Sequence, residues 1–341
     1  MTTVKIRAGG KFALIALPRA NVAHSATDMS LADDLLVTRE MPLPVADHWQ
    51  RWIGEVPVKQ LQEAGCFILA KTPADTPAIL DGENQNLMRR VCHVYDGLTI
   101  VEVPFCATRP FLLPGANVNG DVSIRQIADL QAPVRRAFNQ SSILRQIDEA
   151  GLRKAYAIGD ALAVVVAPPD HIRLKLALSA FLAGVRDVRF DESLHQFCRW
   201  IDGTILSRKG KGEADFVARS ALFIGAGQDA AIGEMYRMRN AVEHLRPAES
   251  EAVGCIDRRA QRLRVIERST QVEKIARYCL QRVLLNPELV AAGKDEASLE
   301  QFWSRSEDDR RKAWGNPLDF NQHLAVLVDP QYVTNQDLGL N

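Results

Sequence analysis

The chain has 341 residues, 47% of them hydrophobic, and 42 basic side chains balance 42 acidic ones to a formal net charge of zero. That length favours two domains, and the near-average composition excludes a wholly disordered chain, a collagen-like fibre and a multi-pass membrane protein. The charge balance removes any global basic field, so a nucleic-acid partner would have to be met by a local patch.

Residues 1–185 are expected to form a β-containing mixed domain. Phe12–Leu17, Cys66–Ala70 and Thr99–Val103 are short apolar stretches bounded by Gly, Pro, Asp and Asn, and they predict strands. The aromatic spacing in His48-Trp49-Gln50-Arg51-Trp52-Ile53-Gly54 predicts a helix with one buried face. Leu113–Gly120 carries two turn signals and predicts a loop. Pro133–Leu152 predicts a helix with an approximate apolar stripe that includes Ile143. Ala155–Ala167 fits either a buried strand or a short helix. Asp170 is the expected N-cap of a helix over Ile172–Ala183.

From residue 186 to about 315 the pattern is helical. Leu194, Phe197, Cys198, Ile201 and Ile205 make a clean amphipathic stripe, which ends at the basic, Gly-rich Arg208-Lys209-Gly210-Lys211-Gly212. Helices are then predicted over Ala214–Ile224, Asp229–Leu245 and Cys255–Leu285, with a charged helix around Leu299–Lys312. Residues 316–341 remain as a C-terminal tail. The expectation is an α+β protein: a β-containing N-terminal domain followed by an all-α bundle.

The six cysteines form no C-x-x-C pair and none sits at zinc-ligand spacing with a histidine, which points to reduced, buried thiols. No secretory h-region follows the N-terminal charges, and no apolar run approaches the roughly 20 residues that span a bilayer. A cytoplasmic protein is expected. Thirty-one of the basic residues are Arg, a bias that suits phosphate contact and that a GC-rich genome would also produce. There is no G-x-G-x-x-G after a strand, no Walker loop, no H-E-x-x-H and no G-x-S-x-G.

What remains is Arg237-Met238-Arg239-Asn240-Ala241-Val242-Glu243-His244, late on the third predicted bundle helix. Arg-to-His spacings also occur at Arg19 to His24 and Arg189 to His195, but only Arg239 is followed by Asn. A histidine titrating near neutrality can move the protons of RNA cleavage, and a guanidinium offers fixed donors to phosphoryl oxygens. Positions five apart on an ideal helix point about 140° apart, so the two side chains meet only across a phosphate. Asn240 lies one turn before His244, where its amide can orient the imidazole or bind phosphate. The competing structural reading has His244 complementing the helix dipole, with Arg239 paired to Glu234 or Glu243 on the surface.

Arg239-Asn240-x-x-x-His244 resembles the signature of the HEPN superfamily. Arg189-Phe190-x4-His195-Gln196-Phe197-x-Arg199-x-Ile201-Asp202-Gly203-x-Ile205 is similar to the opening helix of its Apea-like group. The resemblance spans residues 188–290 and the N-terminal half only in outline. It implies a metal-independent endoribonuclease with Arg239, His244 and Asn240 as catalytic residues and no cofactor. Arg237, Arg199, His195 and Asp202 become supporting or RNA-contacting residues, with Arg219, Arg258 and Arg259 as further phosphate-binding candidates. It also implies a homodimer acting on RNA, tRNA among its substrates, in a bacterial defence or toxin-type system. An antitoxin or a phage-derived trigger would then be a partner, sensed by the N-terminal domain. The alternative is a catalytically silent module that dimerises and binds nucleotide or RNA. A third reading puts an enzyme site at Asp81, Glu83, Asn84 and Asn86, a stretch that otherwise predicts a turn.

Overall fold

The computed structural model describes all residues except 1–5, 19, 24, 25, 27, 73–81, 105–108, 125, 135, 137, 139–145, 168, 206–211 and 341. Ile143, Asp81, the basic stretch Arg208–Lys211 and the Arg19 and His24 pair therefore lie outside the described residues. The architecture is α+β, and the chain divides into two compact units. One is Met1–Arg135 with Arg145–Ala163, the other Arg136–Leu144 with Val164–Asn341.

The first unit is built on an antiparallel sheet of β1 (Lys11–Leu17), β2 (Met29–Ala32), β3 (Leu35–Thr38), β4 (Cys66–Thr72), β5 (Phe111–Val118), β6 (Asp121–Ile124) and β7 (Ala128–Asp129). The order is β2-β3-β4-β1-β5-β6, with β7 also paired to β5. All seven β1 residues are buried, because both faces of the sheet are covered. Phe12, Leu14 and Ala16 face Trp49, Val58 and Leu61 of α1 (Asp47–Ile53) and α2 (Glu55–Gln62). Ala13, Ile15 and Leu17 face Leu87, Val91, Val94 and Leu98 of α3 (Gly82–Val101), with Leu152 and Ala155 of α4 (Glu149–Val166) in the same core. That two-sided burial gives a continuous apolar run rather than alternation.

Three expectations are corrected here. Thr99–Val103 is not a strand: Thr99, Ile100 and Val101 are the last turn of α3, where β-branched side chains are accepted because the turn is buried. Leu113–Val118 is strand, not loop, and only Asn119-Gly120 turns. Both turn residues have positive φ (+54° and +99°), the conformation that suits Asn-Gly in a two-residue hairpin. Pro114 is tolerated because it falls between the stretches of β5 paired with β6 and with β7, where an N–H can be spared. No helix covers Pro133, Val134 or Phe138; α4 starts at Glu149, and it is this helix that contains Ala155–Val166.

The second unit holds α5 (Ile172–Arg186), α6 (Phe190–Ile205), α7 (Gly212–Ile224), α8 (Asp229–Glu243), α9 (Arg258–Leu284), α10 (Pro287–Ala292), α11 (Glu296–Trp303), α12 (Glu307–Trp314) and α13 (Phe320–Leu324). The residue before α5 is His171, with no side-chain cap bond, so Asp170 is not its N-cap. The charged stretch at Leu299–Lys312 is two helices, broken at Ser304–Ser306, where Ser306 caps α12. α6 is central and packs on α5, α8 and α9, burying Leu194, Phe197, Cys198, Trp200 and Ile201. The C-terminal stretch is folded onto α9: Val333 and Leu338 share a core with Ile266, and Gln271 donates to the Leu324 carbonyl at 3.1 Å. Among the described residues, no helix is long and apolar enough to cross a membrane.

Candidate active site

α8 presents Ile232, Met235, Met238 and Ala241 to the core, and Arg239 and Glu243 reach α6. His244 is the residue that ends α8, and its backbone N–H donates to the Asn240 carbonyl at 3.1 Å. Leu245 follows in the left-handed region (φ +56°). Its N–H and that of Arg246 return to the carbonyls of Val242 and Ala241 at 3.0 and 2.7 Å. This is the paired closure that usually employs glycine. The His244 side chain is exposed and makes no hydrogen bond or ion pair among the described residues.

Arg239 turns the other way. Its Nη2 lies 3.1 Å from Asp202 Oδ2 on α6, and the two side chains are 20% and 14% exposed. Its Nη1 donates to Asn240 Oδ1 at 2.8 Å, and its guanidinium carbon sits 5.5 Å from the Tyr236 ring centre. The guanidinium is thus fixed from three sides. Burial pushes the Asp202 carboxyl up to about 6, although Arg239 and Arg173 both pull it down. In this pair the cost of desolvating the carboxylate exceeds the attraction of its neighbours. Tyr236 is raised by burial, while a side-chain bond with Asn240 opposes that shift.

A second pair links the same helices. His195 Nε2 is hydrogen-bonded to Glu243 Oε2, and His195 is buried. That bond is the largest influence holding the Glu243 carboxyl below its usual range, with Arg239 and Arg199 adding to it. Three polar atoms of the cluster are buried without a hydrogen-bond partner: His195 Nδ1, Asp202 Oδ1 and Arg239 Nε.

The structure therefore gathers Arg239, Asn240, Asp202 and His195, puts His244 at the exposed helix end, and leaves Arg199 exposed on α6. Asp202 is drawn in against Arg239, and Arg239 pairs with neither Glu234 nor Glu243. Glu234 is instead buried against Arg268 of α9 at 2.6 Å. Arg237 pairs with Glu213 of α7 at 2.5 Å. Arg219 lies over the Trp303 ring at 4.9 Å, and Arg259 donates to Asn335 Oδ1 and the Val333 carbonyl at 2.6 and 3.0 Å. Both are tied into the bundle. Arg258 is exposed at the start of α9.

Sequence reasoning missed Tyr236 and Arg173 as neighbours of the site. Tyr236 at i−3 from Arg239 was readable from helical spacing; Arg173 on α5 left no local signal. In the first unit, Gly82 to Asn86 opens α3 rather than making a turn. Glu83 pairs with the fully buried Lys11 at 2.7 Å, and Asn84 donates to the Gly115 carbonyl at 3.1 Å. Those contacts fasten α3 to the sheet. No group of metal-ligating side chains occurs among the described residues. Compared with family models, with curated proteins and with solved structures, the chain matches none.

Proposed function

We propose that the protein is a metal-independent endoribonuclease of HEPN type, with Arg239 and His244 as its working pair and Asn240 beside them. The observation that carries this reading is the contrast along one helix end. A guanidinium is held in place by Asp202, Asn240 and Tyr236, while His244, five residues on, is exposed with its imidazole uncommitted. A fixed cation is the preorganised partner that a phosphoryl oxygen needs, and a solvent-facing imidazole is the group that can take the 2′-hydroxyl proton and return one to the leaving 5′-oxygen.

By the same resemblance the working form is a homodimer, acting in a defence or toxin-type setting with the first unit as sensor. One observation favours the alternative, a silent RNA- or nucleotide-binding module: the Arg239 head is already ion-paired and only 20% exposed.

The test is incubation of the purified protein with total RNA and with tRNA in EDTA, alongside Arg239→Ala and His244→Ala. Cleavage by the parent that both variants lose is the expected result. Cleavage retained by both variants moves the activity elsewhere, and binding without cleavage selects the silent module.

A further inference from the structure

The geometry points to Asp202 as the positioning residue for Arg239, a role that rests on the ribonuclease reading above. Asp202 belongs to α6, 37 positions away from Arg239 in sequence, and reaches it only through the α6–α8 packing. A free arginine near a helix end samples many rotamers, and arresting it at the moment of phosphate binding carries an entropy cost. Here the arrest is built in, because Asp202 Oδ2 holds Nη2 at 3.1 Å.

The carboxylate is the more buried of the two partners. A phosphate would meet a guanidinium already held by Asp202, as a carboxylate holds the working histidine in a Ser-His-Asp triad. The pair is also incomplete. Asp202 Oδ1 and Arg239 Nε are both buried and unpartnered, so a rotation of the guanidinium would close the single contact into the two-bond fork that arginine and carboxylate form best. The charged groups around Asp202 are Arg173 of α5 and Arg239 and Glu243 of α8. Arg173 is itself held by the Gly203 carbonyl at 2.6 Å, and Arg239 is ion-paired with Asp202. Asp202 touches no substrate in this scheme; it acts through Arg239.

The experiment is a double-mutant cycle on the full chain. Parent, Asp202→Asn, Arg239→Ala and the double variant are compared in RNA cleavage, in binding of a fully 2′-O-methylated RNA by fluorescence anisotropy, and in thermal melting. Because a misplacement near 1 Å can cost about a hundredfold in rate, Asp202→Asn is expected to lower kcat on the order of ten- to a hundredfold, with KM changed far less. In the Arg239→Ala background, where cleavage is already lost, the same substitution should leave binding of the methylated RNA unchanged. A merely structural Asp202 would instead weaken binding in both backgrounds by the same factor, in step with melting. Full activity in Asp202→Asn, or an equal loss of binding in both backgrounds, overturns the positioning role while the ribonuclease reading stands. A parent that neither cleaves RNA nor binds the methylated RNA overturns both.

Discussion

Substitution of Gly97 by Ala sets two physical effects against each other with opposite sign. Gly97 lies within α3, and on helix propensity alone the change should stabilise by about 1 kcal/mol. The tertiary structure reverses that. A Cβ at Gly97 would stand 2.1 Å from the Ala155 carbonyl oxygen and 3.0 Å from its carbon, where carbon atoms need about 3.5 Å or more. The opposing atoms are α4 backbone and cannot rotate aside. A Cβ at Gly159 of α4 would likewise stand 2.8 Å from the His93 carbonyl oxygen of α3, so the crossing is close on both sides. Overpacking costs typically about 1–3 kcal/mol, and a clash with backbone belongs at or beyond the upper end. The net expectation is a loss of about 2 kcal/mol, or about 4–8 °C in melting temperature for a unit of this size. Scanning calorimetry reads it, with Gly82→Ala as the control, since nothing lies within 4 Å of a Cβ there. If Gly97→Ala melts at or above the parent, the close helix crossing is not present in solution and the argument fails.

Two further outcomes concern the candidate-site region. Burial raises the Asp202 carboxyl from 3.8 to about 6, so the folded state holds that proton longer than the unfolded chain does. Its contribution therefore favours folding at low pH and is lost as pH rises from about 4 to 6. Relative to Asp202→Asn, the parent should lose about 2 kcal/mol between pH 4.5 and 7; chemical denaturation at the two pH values measures it, and a parent that gains on Asp202→Asn as pH rises would mean that the Arg239 attraction dominates. Leu245 is 96% exposed and sits at φ +56°, a conformation that costs a non-glycine residue about 1–2 kcal/mol. Leu245→Gly should therefore raise stability by about 0.5–1 kcal/mol, and a lower urea midpoint would show that this side chain has a partner in solution.

Much of the bundle was legible in the residues themselves. α6, α7 and α8 were read to within a few positions, because an amphipathic repeat and the stop after it are local properties that bury the same stripe whatever covers it. The Asn-Gly at 119–120 is an equally local turn signal, but Pro114 and Gly115 carry a second one that makes the whole stretch look like a loop. Those two are acceptable in β5 only because of what flanks them: a gap between two partner strands, and the Phe12 ring and Ser123 carbonyl, which leave no room for a Cβ at residue 115. Thr99 and Ile100 likewise lie in the last turn of α3, where tertiary packing buries both.

The candidate site divides the same way. Arg239, Asn240 and His244 announce themselves by spacing along one helix, and spacing alone also says that Arg and His point apart. That His244 would be left exposed, that His195 would find Glu243, and that Arg239 would find a buried Asp202 were decided by the packing of α6 on α8. Periodicity records which face of a helix avoids water, but pairing energies between polar groups depend on distance and on how much solvent is excluded around them. Both quantities come into existence only when distant segments meet.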